Sequence, residues 1–187
     1  MTEELRAEDR QQLLEVARQA ILTTLDGTST SAVATSPALA QKRGAFVTLT
    51  RRADGELRGC IGYVAPMYPL VETVWRAASA AAFRDHRFAP LTRDELSAVA
   101  IEISVLSVPT PIRPEDVIVG THGLILQCGG RSGLLLPQVA TDHGWDRTMF
   151  LDYTCLKAGL RPGAWQKPDA ELLAFTATVF GEASRGD

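Results

Sequence analysis

Residues 98–108, AVAIEISVLSV, alternate so regularly that Val99, Ile101, Ile103 and Val105 share one face while Glu102 and Ser104 take the other. A period of two with one wholly apolar face specifies a strand buried on one side, which requires a sheet with something packed behind it. The run then meets Pro109, Pro111 and Pro114, which cannot donate to a ladder and force an extended connection. The backing is helical. Residues 8–25 set Leu13, Leu14, Ala17, Ile21 and Leu25 on one stripe, ended by Asp26-Gly27-Thr28-Ser29. Residues 70–83 repeat the pattern with Leu70, Val71, Val74, Ala77, Ala78 and Ala81, and Pro69 suits the first helical turn, where its missing N–H costs nothing.

The remaining segments complete an α+β pattern. Residues 44–52 and 57–64 read as a hairpin turning at Ala53-Asp54-Gly55, expected in the same sheet as residues 101–106 with helices on one side. The stretch from Thr28 to Arg43 reads as an ordered connection, because Val33, Ala38 and Leu39 interrupt its polarity. Residues 117–119, 124–128 and 134–136 read as short strands, joined by Gly120-Thr121-His122-Gly123 and by Gly129-Gly130-Arg131-Ser132-Gly133. Asp146 is a good N-cap for a helix reaching residue 158, with Gly159 as its stop. Phe175, Ala177 and Val179 alternate as a final strand. At 187 residues the chain is expected to be a single domain, 1–187, with room for two lobes.

Charge and composition exclude several functions. Nineteen Lys and Arg against 22 Asp and Glu give a net charge of −3, so no global electrostatic footprint marks nucleic acid or an anionic membrane as a partner. No run approaches ~18 uncharged apolar residues, so no span is expected. The first 22 residues are interrupted by charge throughout, unlike a signal peptide, and a cytoplasmic location is the expectation. Cys60, Cys128 and Cys155 form no CxxC pair, which argues against a disulfide framework and a dedicated zinc site. His86, His122 and His143 show no HxxxH or HxH spacing, so no metal is expected. The Gly129–Gly133 run is followed by Leu134-Leu135-Leu136-Pro137 rather than a helix bearing Lys-Ser/Thr, so it is a hairpin turn and not a phosphate cradle. No cofactor is implied.

The sharpest local feature is Leu57-Arg58-Gly59-Cys60-Ile61-Gly62. In a strand Arg58 and Cys60 fall on one face, and Gly59 and Gly62 let backbone or ligand approach closely. A guanidinium beside a thiol favours thiolate, the nucleophilic form, which makes Cys60 a candidate nucleophile with Arg58, Gly59 and Gly62 as ligand-binding residues. His122 is the candidate acid–base partner, since imidazole titrates near neutral pH. The plain alternatives stay open: Cys60 as a small packing residue and His122 as a turn residue. His86, beside Asp85 and Arg87, reads as part of a solvated helix end or an ion-pair cluster, and His143 as a helix C-terminal residue.

Taken together the chain resembles the AMMECR1 domain family, protein A of the AmmeMemoRadiSam systems, over nearly its whole length. The resemblance rests on the LRGCIG hexapeptide at residues 57–62, on Asp85-His86-Arg87-Phe88-Ala89-Pro90 with Glu95-Leu96, and on Ile101-Glu102-Ile103-Ser104-Val105-Leu106. Gly120-Thr121-His122-Gly123-Leu124, Leu136-Pro137-Gln138-Val139, Gly144-Trp145-Asp146 and Phe150-Leu151 extend it, as do Cys155-Leu156-Lys157-Ala158-Gly159-Leu160, Trp165 and Phe180-Gly181-Glu182. Thr176 departs from it, where the family usually carries an acidic residue. The resemblance implies an α+β fold with a mixed or antiparallel sheet, packed helices, a larger and a smaller lobe, and the hexapeptide near a cleft. It also implies association with a Memo-type protein and a radical SAM protein. It delivers no reaction, and since the chain has no Cx3Cx2C motif, any radical chemistry would belong to a partner. Two readings follow: an enzyme or enzyme component using the Cys60 thiol, or a non-catalytic scaffold that grips a ligand or protein through the same site.

Overall fold

In the computed structural model, which describes residues 4–28, 30 and 32–182, the first apolar stripe becomes helix α1 (Ala7–Asp26). It ends on Gly27, whose φ of 65° is left-handed and leaves its N–H to the carbonyls of Thr23 and Thr24. Ser29 of the expected stop lies outside the described residues. Then come α2 (Pro37–Ala40), β1 (Ala45–Arg51), β2 (Leu57–Tyr63), α3 (Leu70–Phe83), β3 (Val99–Leu106), β4 (Thr110–Pro111), β5 (Gly123–Cys128), β6 (Arg131–Leu135), α4 (Pro137–Asp142), α5 (Arg147–Lys157), β7 (Glu171–Phe175) and β8 (Ala177–Gly181). Two compact units result. The first comprises the chain up to Leu106 together with the stretch from Thr178, and the second is Ser107–Ala177.

The first unit holds a four-stranded sheet ordered β2-β1-β3-β8. The expected hairpin forms, β1 pairing antiparallel with β2, and β1 also pairs antiparallel with β3. Ala45, Val47, Leu49, Val99, Ile101, Ile103 and Val105 are all at most 1% exposed, forming one core with the buried stripes of α1 and α3. Burying that much aliphatic area provides the main drive for this unit to fold. Glu102 is exposed on the other face, as the alternation requires, but Ser104 is buried there. Pro69 is the N-cap of α3 rather than a residue of its first turn, and its carbonyl accepts the Thr73 N–H.

The second unit holds a sheet ordered β4-β7-β5-β6, with antiparallel pairing throughout, and its own core around Leu124, Leu126, Phe150, Leu151 and Cys155. Three expectations change here. Residues 117–119 are not a strand, because the Ile118 carbonyl accepts from the N–H groups of Thr121 and His122 and is spent on a turn. The glycine-rich turn contracts to Gly129 and Gly130, both at positive φ, and Arg131-Ser132-Gly133 open β6. The alternation at residues 175–179 splits into β7 and β8, which belong to different sheets, as the Thr176 N–H turns to Ser107 Oγ and its carbonyl accepts the Ser107 N–H. Helices α2 and α4 were too short for periodicity to show. The expected helix after Asp146 is α5, with Met149 N–H donating to Asp146 Oδ1 at 2.8 Å. No helix among the described residues is long and apolar enough to cross a membrane.

Candidate functional site

Strand β2 is an edge strand and contains the hexapeptide from end to end. An unprotected edge invites pairing with other chains, and here residues 84–98, between α3 and β3, run along it as a strap. Cys60 N–H donates to Asp85 Oδ2 at 2.9 Å, and Arg87 Nη2 reaches the Cys60 carbonyl at 3.4 Å. Asp85 thereby stands in for a neighbouring strand. Its carboxylate is gripped by Arg87 through Nε at 2.9 Å and Nη2 at 2.7 Å, and also accepts the Arg87 N–H at 3.1 Å. The Arg87 guanidinium, then the N–H groups of Cys60 and Arg87, hold the Asp85 carboxyl far below the usual carboxylate range, although its burial works the other way.

A second pair lies further along. The register of β1 on β2 runs Leu49 with Gly59 and then Thr50 with Leu57, so Arg58 is the extra residue of a bulge. It is only 8% exposed. Its Nε and Nη2 donate to the two oxygens of Glu95 at 3.0 and 3.1 Å, and Glu95 also accepts the Thr92 N–H at 2.8 Å. Arg58 and then Thr92 lower the Glu95 carboxyl to about 2. Both cations lie over the Phe88 ring, its centroid 5.9 Å from the Arg58 guanidinium carbon and 5.5 Å from that of Arg87. Arg58 Nη1 is enclosed and has no hydrogen-bond partner.

Cys60 sits opposite Thr48 in the register, and Thr48 Oγ1 donates to its sulfur at 3.3 Å. It is half-buried, whereas Cys128 and Cys155 are buried and their thiols are pushed up chiefly by that burial, with Asp169 adding to the effect at Cys128. The two glycines make the approaches expected of them. A Cβ on Gly59 would lie 2.2 Å from the Ala81 carbonyl oxygen of α3, and one on Gly62 would lie 2.3 Å from the Phe46 ring. Arg58, Gly59, Cys60 and Gly62 therefore belong to one local structure in the first unit. His122 is in the second unit, where Ile118 N–H donates to its Nδ1 at 3.1 Å, so the neutral ring carries its proton on Nε2 and its one basic lone pair is already engaged. His86 is exposed in the strap beside the Asp85–Arg87 pair, and His143 caps the end of α4.

Asp85, Arg87, Glu95 and Thr48 were not among the candidate site residues read from the sequence. The available signal was the Asp-His-Arg-Phe run, legible as an ion-pair cluster but not as the cover of an edge 25 residues earlier. Among the described residues no group of three or more His, Cys, Asp or Glu side chains converges as a metal site. The chemistry present is a thiol with a hydroxyl donor on its sulfur and, two residues away, a guanidinium with one unsatisfied nitrogen. Such a set can hold an anionic group and present a nucleophile.

The AMMECR1 family model matches residues 14–180. The chain belongs to the AMMECR1 family. Protein MK0488 of Methanopyrus kandleri is 45% identical to this AMMECR1 chain over 192 residues, covering 97% of the chain and 92% of the relative. A protein of Thermofilum pendens is 44% identical over 201 residues, covering 98% and 94%. The crystal structure of the uncharacterized Pyrococcus horikoshii protein PH0010 shares the AMMECR1 fold with a TM-score of 0.80 and 42% identity, covering 94% of this chain and 92% of that one.

Proposed function

We propose that this AMMECR1 protein works in the cytoplasm as a component of an AmmeMemoRadiSam-type system, with a Memo-type and a radical SAM protein as partners, and acts through the thiol of Cys60. In this reading Arg58 holds an anionic group of the ligand, Gly59 and Gly62 let β2 pack closely on Ala81 and Phe46 and so fix the strand that carries the site, and Cys60 Sγ is the reacting atom. The carrying observation is that the half-buried Cys60 receives the Thr48 hydroxyl on its sulfur while Arg58 Nη1 stands enclosed and unpartnered two residues away. A buried donor without an acceptor costs about 1–3 kcal/mol, which an anionic ligand would relieve.

A second reading, a binding module without catalysis, is favoured by one observation: Arg58 and Arg87 are both already engaged by carboxylates, so neither is devoted to the thiol. Iodoacetamide labelling of the native protein separates the two. The thiol reading expects Cys60 to be carbamidomethylated first, with Cys128 and Cys155 modified only on unfolding, as counted by mass spectrometry. Protection of Cys60 until the protein is denatured removes the thiol reading and leaves the binding module. If His122 serves as acid–base partner, its Nδ1 must first give up the Ile118 N–H, and His122→Gln then changes the rate of Cys60 labelling; an unchanged rate takes His122 out of the site.

A further inference from the structure

Helix α5 buries Phe150, Leu151, Thr154 and Cys155 and leaves three large apolar residues outside: Met149 at 43% exposure, Tyr153 at 41% and Leu156 at 49%. Single exposed apolar side chains need no explanation, but these three occur at i, i+4 and i+7, which is one stripe of a helix. The stripe widens near its start. The Trp145 ring stacks on Tyr153 with centroids 3.9 Å apart and planes 9° apart, and His143 lies 4.7 Å from Trp145. At its other end Leu156 enters a pocket of about 710 Å³, lined also by Leu160, Pro162, Arg131, Arg161 and Lys167.

That pocket is cationic without compensation. No carboxylate lines it, and among the described residues none of Arg131, Arg161 and Lys167 takes part in an ion pair. The α5 C-terminus explains one of the three, since Arg131 Nη1 donates to the Gly159 carbonyl just beyond the helix. Arg161 and Lys167 share the pocket with it, and neither has a hydrogen bond to the end of the helix among the described residues. In a chain of net charge −3 this local excess is a recognition feature rather than a reflection of composition.

We propose that the α5 stripe and the pocket at its end are a docking surface for an acidic amphipathic helix of a partner protein. Apolar side chains of the partner would lie along Met149, Tyr153 and Leu156, and its carboxylates would meet Arg131, Arg161 and Lys167. Helix-in-groove recognition reads anchors at the same i, i+4, i+7 spacing, and opposite charge at the rim sets orientation and encounter rate. Nucleic acid fits less well, because three cations cannot track a phosphate backbone. The surface lies entirely within residues 107–177, so the proposal stands or falls separately from the Cys60 site.

The test uses fluorescence anisotropy of the full chain with a fluorescein-labelled 15-residue helix carrying leucine at i, i+4 and i+7 and glutamate on its flanks. The expected result is saturable binding that weakens as salt rises, falls at least tenfold in Arg161→Glu/Lys167→Glu, and falls similarly in Leu156→Asp. All three positions are exposed, and thermal melts matching wild type establish that the variants remain folded. A peptide with lysine in place of glutamate should not bind. Failure of the acidic peptide to bind, or equal binding by the charge-reversed variant, overturns the proposal. Tighter binding to anionic phospholipid vesicles or to a single-stranded oligonucleotide overturns it as well, by assigning the surface to a membrane or to nucleic acid.

Discussion

Gly59 has no room for a methyl group, because the atom it would strike is the backbone carbonyl oxygen of Ala81 in α3, 2.2 Å from an ideal Cβ. Backbone inside a helix cannot step aside as a side chain can, so Gly59→Ala must push β2 off α3. We expect it to cost about 1–3 kcal/mol, the usual penalty for overpacking a filled core. At Gly62 the clash is with the Phe46 ring and also, at 2.6 Å, with the Ala45 carbonyl; the ring can swing away but the carbonyl cannot. Cys60→Ser, nearly equal in volume at a half-buried site, should cost less than either. Thermal melts of the three variants rank them, and a Gly59→Ala protein as stable as wild type beside an unfolded Cys60→Ser would reverse the roles given to these residues. The need for glycine was legible in the hexapeptide, because glycine inside a strand signals a close approach. What approaches was not legible in the motif itself, since Ala81 belongs to α3 and Phe46 is set opposite Gly62 only by the hairpin register.

At the level of elements, the strap decides how β2 survives as an edge. Residues 84–98 contribute no strand, yet Asp85 accepts the outward Cys60 N–H and Glu95 holds Arg58 in its bulge. Strands and long helices announce themselves by periodicity, which is why α1, α3 and β3 were readable, whereas a strap is defined by what it touches and has no period. Its two carboxylates make stability depend on pH in a definite direction. Both titrate lower folded than unfolded, where carboxylates titrate at about 4. Their contribution is therefore complete above about pH 5 and is lost as pH falls through 4 towards 2, when the unfolded chain binds protons that the folded one does not. Urea titrations between pH 7 and 2.5 should show the midpoint falling across that window. In Asp85→Asn the midpoint should be lower at pH 7 and its decline with acid shallower. A parallel decline in wild type and variant would mean that Asp85 carries no part of the acid sensitivity.

For the whole molecule, the first unit is assembled from two separated stretches of chain, and its closure rests on Glu182 after β8. Arg18 Nε donates to Glu182 Oε1 at 2.8 Å and Arg18 Nη2 to Oε2 at 2.6 Å, while Oε2 also takes the Ile101 N–H at 3.2 Å and Arg52. The Glu182 N–H returns to the Ile101 carbonyl at 2.9 Å, and Arg18 binds the Leu96 and Val99 carbonyls as well. One carboxylate thus fastens α1, the start of β3 and the end of β8. Burial alone would raise this carboxyl, but Arg18, the Ile101 N–H and Arg52 together outweigh it and the group is lowered. The sequence hid the closure because residues 175–179 alternate like one strand, although the chain changes sheets at Thr176. Glu182→Ala takes the carboxylate from Arg18 and leaves the Ile101 N–H without its side-chain acceptor, so we expect a loss of roughly 2–3 kcal/mol, typical of a hydrogen bond to a charged group. Glu182→Gln keeps an acceptor and should lose less. A double-mutant cycle with Arg18→Leu should return a coupling of more than about 0.5 kcal/mol, the range of residues in one network. Native-state hydrogen exchange locates the effect: amides of β8 and of its neighbour β3 should exchange faster in Glu182→Ala, because the end of the sheet then opens without global unfolding. Wild-type exchange in β8, with unchanged melts, would show that the strand is held by its ladder alone and that Glu182 does not close the unit.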